Sequence, residues 1–208
     1  GCAYGLWHLQ NSFRLRFSLN RLKEMLIFSA PLVPSGIAVF ISHYIDRIML
    51  NHYLTLNEVG LYGIGFRLAS VAGLAMVGFQ GALTPLVYSN YKNPETPSQL
   101  ERIFRTFLAV SLCMFLGLSL FASEILVLMT TPAFYGAAQV VVFLVPAILL
   151  SNMYIFSPGI FIAKKTHLIL YINLIGAVLN TVLNWLLIPA MGISGAALAT
   201  LLGYGCVF

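Results

Sequence analysis

Residues Leu26–Ser70 read LIFSAPLVPSGIAVFISHYIDRIMLNHYLTLNEVGLYGIGFRLAS. Two long apolar runs lie on either side of a short break at 51–58, and charged side chains occur only at Asp46, Arg47, Glu58 and Arg67. A helix must present about 20 mainly apolar residues to cross the hydrocarbon layer of a bilayer. The stretch therefore predicts a hairpin of two transmembrane helices, one over about 25–50 and the next over about 59–88. Pro31 and Pro34, followed by Gly36, predict a kink early in the first, since proline removes a helix hydrogen bond.

The same pattern repeats toward the C-terminus. Further spans are predicted at about 103–130, 138–162, 168–188 and 194–208, the last of them cut off. The polar stretch Ser89–Leu100, SNYKNPETPSQL, reads as a loop. Lys164 and Lys165 mark a tight turn, and Pro189 and Gly192 close the fifth span. Upstream, residues 1–9 read as the tail of a preceding transmembrane helix. Residues 10–24 intersperse Arg14, Arg16, Arg21 and Lys23 among Phe13, Leu15, Phe17, Leu19 and Leu22, which suits an amphipathic segment at a headgroup surface. The expected architecture is all-α: a polytopic transmembrane bundle with six spans over 25–208. A chain that opens at Gly1 and stops inside an apolar run is read as a fragment of a longer protein.

Composition excludes a water-soluble domain. Of 208 residues, 60% are hydrophobic and 8% charged, against about 25% charged in soluble domains. The net charge of +5 does not point to nucleic acid, because the basic residues fall in clusters between apolar runs. Arg14, Arg16, Arg21, Lys23, Lys92, Arg102, Arg105, Lys164 and Lys165 are nine of the eleven Lys and Arg. The positive-inside rule puts their connections, 10–24, 89–102 and 163–167, in the cytoplasm of a multi-pass plasma-membrane protein. The turns near 51–58, 131–137 and 189–193 then face outward. Cys2, Cys113 and Cys206 are scattered and read as core residues rather than a disulfide or metal set. No nucleophile–base constellation, phosphate-cradling glycine loop or metal-ligand cluster occurs, and the polar loops are too short for a catalytic domain. No enzyme activity, no catalytic residue, no metal and no cofactor is expected.

Ionisable groups at membrane depth are costly and point to function. Arg67 lies about eight residues into its span, or ~12 Å at 1.5 Å per residue. His43 and Asp46 share a helix face. An antiparallel hairpin about 51–58 would bring position 43 level with position 67, gathering His43, Asp46 and Arg67 into one polar cluster facing water. Arg67 would then anchor an anionic substrate, with Asp46 or His43 as the ion-coupling group. The alternative places Asp46 and Arg47 at the outer interface while Arg67 snorkels or pairs structurally. Gln80 is a further candidate cavity residue. Asn173, Asn180 and Asn184 lie along one face with Gly176 and Ala177, and read chiefly as a packing seam.

Three pieces of the sequence together resemble the polysaccharide flippases (Wzx-type, O-antigen) of the multidrug/oligosaccharidyl-lipid/polysaccharide exporter superfamily. The first is the proline-bearing span with Asp46-Arg47 and Val59-Gly60-Leu61-Tyr62. The second is Phe134-Tyr135-Gly136-Ala137-Ala138. The third is Asn180…Asn184…Ile188-Pro189…Gly192-Ile193-Ser194-Gly195-Ala196-Ala197-Leu198-Ala199-Thr200. The resemblance implies two six-helix lobes around a cavity open alternately to each side. This chain would hold the cytoplasmic inter-lobe linker and most of the second lobe, with the first lobe missing. The implied cargo is an undecaprenyl-diphosphate-linked oligosaccharide repeat unit, carried from inner to outer leaflet for cell-surface polysaccharide. The implied partners are that lipid-linked substrate, membrane lipid and other polysaccharide assembly proteins. A buried Arg67 suits a diphosphate, which needs a cation once it leaves bulk water. The competing readings are a cation-coupled multidrug exporter of the same superfamily and a non-transporting scaffold of a glycan assembly complex.

Overall fold

The structure, a computed structural model, describes residues 18–90, 96–156 and 159–207. The elements are α1 (Leu19–Ser29), α2 (Leu32–Tyr53), α3 (Leu56–Asn90), α4 (Thr96–Leu120), α5 (Ala122–Met129), a 3₁₀ turn (Pro132–Ala137), α6 (Ala138–Ser151), a second 3₁₀ turn (Met153–Phe156), α7 (Gly159–Ile162), α8 (Thr166–Met191) and α9 (Ile193–Val207). No strand occurs among the described residues. The fold is an all-α helix bundle, as the apolar periodicity predicts.

Five stretches are long and apolar enough to cross a membrane: Leu19–Tyr53, Leu56–Gly81, Ser98–Leu120, Pro132–Ser151 and Thr166–Met191. The sixth expected span is α9, whose 15 residues rise ~22 Å, short of the ~30 Å hydrocarbon layer. The expected tail at 1–9 and most of the linker 10–24 lie outside the described residues, as does the centre of the 89–102 connection. Residues 19–24 form the first turns of α1.

Local chemistry explains where the helices depart from the expected spans. The first begins earlier than 25, because α1 leads into α2 across a break at Ala30–Pro31. Pro31 and Pro34 lack the N–H groups that would reach the carbonyls of Ile27 and Ala30. The third span, expected at 103–130, is divided at Phe121, which leaves helical geometry at φ −98°, ψ 13°. The fourth, expected to reach 162, ends at Ser151. There Asn152 turns its amide back on the Ile148 carbonyl at 2.8 Å, satisfying a carbonyl at the helix end. Thr55 opens α3 with a capping box: its N–H donates to Glu58 Oε2 at 3.0 Å and Glu58 N–H to its hydroxyl at 3.4 Å.

The centre of the bundle is α6, where Val140, Val141, Leu144 and Val145 are wholly buried. Helices α3, α4 and α9 pack around it, and α8 packs against both α2 and α9. The α8–α9 turn is tight. Gly192 takes φ +59°, a region open to glycine at little cost. A Cβ on Gly195 would lie 2.3 Å from the Leu187 carbonyl oxygen, so any side chain there would force the two helices apart.

The exterior is as apolar as a soluble protein's core. Leu74, Trp185 and Leu128 are 72%, 60% and 89% exposed. On α3 the inward stripe is Tyr62, Ala69, Ala72 and Met76, while Val71, Leu74 and Val77 point out. Burial among the described residues is set by helix-to-helix contact, with the remaining apolar surface left for lipid or further protein. The chain is an integral membrane protein.

Candidate functional site

Asp46 is the most deeply buried charge-bearing residue described, 2% exposed. Helix α2 carries it to a point where α3, α8 and α9 converge. Tyr62 of α3 donates its hydroxyl to Asp46 Oδ2 at 2.7 Å. Thr200 of α9 donates to the same oxygen at 2.8 Å. Asn184 of α8 donates its amide to Asp46 Oδ1 at 2.6 Å. Asn180, one turn earlier on α8, accepts from the same Asn184 amide through its carbonyl at 3.0 Å and its side-chain oxygen at 3.2 Å. Asn184 is itself fully buried, and its own Oδ1 has no hydrogen-bond partner.

Every group holding the carboxylate is neutral. A buried carboxylate without a counter-charge is expensive, even when well hydrogen-bonded. The oxygens gathered here come from Asp46, Asn180, Asn184 and Thr200. One carboxylate with neutral oxygen donors suits a proton or a singly charged, oxygen-preferring cation. Among the described residues no group of three or more His, Cys, Asp or Glu side chains comes together as a metal site.

The candidate residues separate. Asp46 forms the centre of the cluster, whereas Arg67 is not part of it. Asp46 stands opposite Tyr62, which sets the hairpin register. Arg67, five residues further on, is therefore about 140° around α3. It lies exposed on the outward stripe with Val71 and Leu74. The ion pairs among the described residues are Arg105–Glu101 and Lys164–Glu24, both at 2.6 Å and exposed. The expected gathering of His43, Asp46 and Arg67 thus does not form. His43 is exposed and lies 3.3 Å from the hydroxyl of Tyr204 on α9, beside the cluster rather than in it. Gln80 serves another place, donating its amide to the Asn152 carbonyl at 3.1 Å and side-chain oxygen at 3.2 Å, which ties α3 to the end of α6. Arg47, next in sequence to Asp46, sets its guanidinium 5.1 Å from the Phe66 ring centre and 5.8 Å from that of Tyr44, within cation–π range.

Sequence reasoning did not assign Tyr62, Thr200, Asn180 and Asn184 to Asp46. Their signal was present nonetheless: Tyr62 ends the Val-Gly-x-Tyr step, and the other three lie in the Asn180–Thr200 piece.

The MatE family profile matches residues 31–186, a stretch that includes Asp46, Tyr62, Asn180 and Asn184. The chain is 25% identical over 207 residues to the "Probable low-salt glycan biosynthesis flippase Agl15" of Haloferax volcanii. That match covers 97% of this chain and 43% of the relative, so the chain spans less than half the relative's length. No solved structure matches.

Proposed function

We propose, from the premise that this chain belongs to the MatE family, that it is part of a flippase for lipid-linked oligosaccharide, driven by a proton or monovalent cation taken up at Asp46. The cargo is an undecaprenyl-diphosphate-linked repeat unit moved from the inner to the outer leaflet of the plasma membrane by alternating access. The chain supplies the linker and most of the second lobe. Residues 10–24, 89–102 and 163–167 are its cytoplasmic connections.

The observation that carries the reading is the wholly buried Asp46 carboxylate held only by neutral donors on three other helices. Such a group is a binding place for positive charge, and binding there alters the bonds among α2, α3, α8 and α9 together. A ligand shifts a conformational equilibrium by its differential affinity for the two states. Arg67 takes a separate role in the proposal. Exposed on an uncovered apolar stripe, it offers the cation that meets the diphosphate. The name of the Haloferax relative supports the cargo class.

The test uses the full-length protein in proteoliposomes with a fluorescent lipid-linked oligosaccharide and imposed Na⁺ or proton gradients. Gradient-stimulated translocation is expected in the parent and absent in Asp46→Asn. Stimulation unchanged in Asp46→Asn overturns the coupling role. Gradient-driven efflux of cationic dyes with no movement of the lipid-linked sugar would favour the multidrug exporter, which the same family match accommodates. Neither activity in a folded protein would favour the scaffold.

A further inference from the structure

Asp46 lies at one end of a longer polar seam, the end nearer the 51–58 turn. Thr166 Oγ1 donates to the Phe28 carbonyl at 2.8 Å, Asn173 Nδ2 to Ser35 Oγ at 2.8 Å, and Asn184 Nδ2 to Asp46 Oδ1 at 2.6 Å. Each pair is separated by 138 residues, so α8 runs parallel to α1–α2 in constant register. The rungs at 28/166 and 35/173 stand two helical turns apart, which returns the same face of each helix to the seam. The next step of that register is Ser42 with Asn180. There the seam holds a cavity of about 30 Å³, lined by Ser42, Asn173, Asn180, Thr200 and Tyr204. Glycine keeps the space between α8 and α9 narrow: a Cβ on Gly203 would lie 3.1 Å from Asn180 Cβ.

A cavity of roughly 10–15 Å³ with two to four polar neighbours is enough to hold water. This one is larger; it is partly open, and Val39, Gly176, Ala177, Gly203 and Val207 share its lining with the five polar side chains. Two of them, Asn180 and Thr200, belong to the Asp46 network. At the far end, beyond Thr166, an open surface pocket of about 350 Å³ lies among Asn20, Lys23, Glu24, Ile27, Phe28 and Lys164. The Ser35–Asn173 rung stands between the two spaces. A seam serving only to bind two helices needs hydroxyl–amide pairs, but no void large enough for water in its middle.

We propose that the α2–α8 seam is the route by which the coupling proton or cation passes between Asp46 and the Lys164 end of the lobe, with the Ser42–Asn180 cavity as its water-filled station and the Ser35–Asn173 hydrogen bond as its closed gate. The proposal rests on the reading of Asp46 as the coupling site. The path from residue 46 to residue 28 rises ~27 Å, and a bare charge does not cross that distance in a low-dielectric interior without polar support. Opening the gate exchanges one hydrogen bond for bonds to water. The Lys164 end is the one that the distribution of basic residues puts in the cytoplasm.

The experiment uses the full-length protein in proteoliposomes. Ser35→Ala with Asn173→Leu replaces the gate pair by apolar side chains, a change that leaves stability nearly unaltered when both partners go together. Gradient-driven translocation is expected to slow by about tenfold or more, one decade of barrier. Stabilisation of the detergent-solubilised protein against heat by Na⁺ or by protons should stay as in the parent, because Asp46 is untouched. A parental translocation rate in this double variant overturns the route. Should Asp46→Asn keep the parental cation response, the Asp46 reading falls, and the route falls with it. Ser42→Cys, in a background with the native cysteines replaced, gives a second readout. Ag⁺, a small thiol-reactive cation, applied from the Lys164 face is expected to block transport, and Asn173→Leu to protect against it. Absence of block in an active Ser42→Cys protein overturns the proposal as well.

Discussion

Asp46 and Arg67 are charge-bearing residues on the two arms of one helical hairpin, and the fold treats them in opposite ways. The aspartate is enclosed by four helices and receives three hydrogen bonds from uncharged donors. The arginine stands exposed on a face that nothing in the described chain covers. The comparison teaches that a charge at membrane depth can be accommodated by internal solvation or by being left open to a surface, and that these solutions imply different functions. Internal solvation makes Asp46 part of the packing of α2, α3, α8 and α9, the packing that occupancy would change under the proposed coupling role. Exposure leaves Arg67 on the outward face of α3, and its proposed role lies with a partner outside the chain.

The largest effect expected on stability is at the enclosed member. Asp46→Ala removes the acceptor of Tyr62 while opening a void, and should destabilise the detergent-solubilised protein by about 2–4 kcal/mol, since each orphaned buried donor costs about 1–3 kcal/mol. Thermal unfolding measures this, and a loss as small as that of a surface substitution would break the contrast. Tyr62→Phe deletes one of the three donors and keeps the ring, so a loss of about 1–2 kcal/mol is expected by the same measurement. Arg67→Ala should change stability by no more than about 0.5 kcal/mol, as for surface positions away from special features, while lowering translocation of the lipid-linked sugar. Arg67→Lys should retain part of that activity, the ammonium keeping the charge but losing bidentate contact. The sharpest test is the smallest signal: in a double-mutant cycle, Asp46→Asn and Arg67→Ala should be additive in stability within about 0.3–0.5 kcal/mol. A coupling of several times that size would mean that the two groups interact after all.

The fold was legible from the sequence wherever an apolar run was long and its ends polar. The hairpin, the fifth span and the turn at Lys164 followed from length and charge placement alone. The breaks at Phe121 and Asn152 were not legible, since they arise from local geometry inside stretches that remain apolar on both sides. At the site, depth within the span pointed to Arg67, and a shared helix face joined Asp46 to His43; the partners that Asp46 has in the fold depend on register. The expected pairing of position 43 with 67 would set Asp46 opposite residue 64. The observed pairing sets it opposite Tyr62. Arg67 would lie about 60° of helix rotation from the residue facing Asp46 in the expected register and lies about 140° from it in the observed one, which turns it out of the cluster. The asparagines of α8 were recognised as one face, and the structure turns that face toward α2. What the asparagines meet there depends on which helix lies alongside, a long-range relation that periodicity along one helix does not contain.

Gly195 bears on how this arrangement moves. With the Leu187 carbonyl where a side chain would otherwise stand, α8 and α9 are clasped at their shared turn like the tines of a fork. Asn184 and Thr200, one on each tine, both grip the same carboxylate. Under the proposed coupling role, release of Asp46 would free both tines at once, so a change at two oxygen atoms would reach the whole α8–α9 pair.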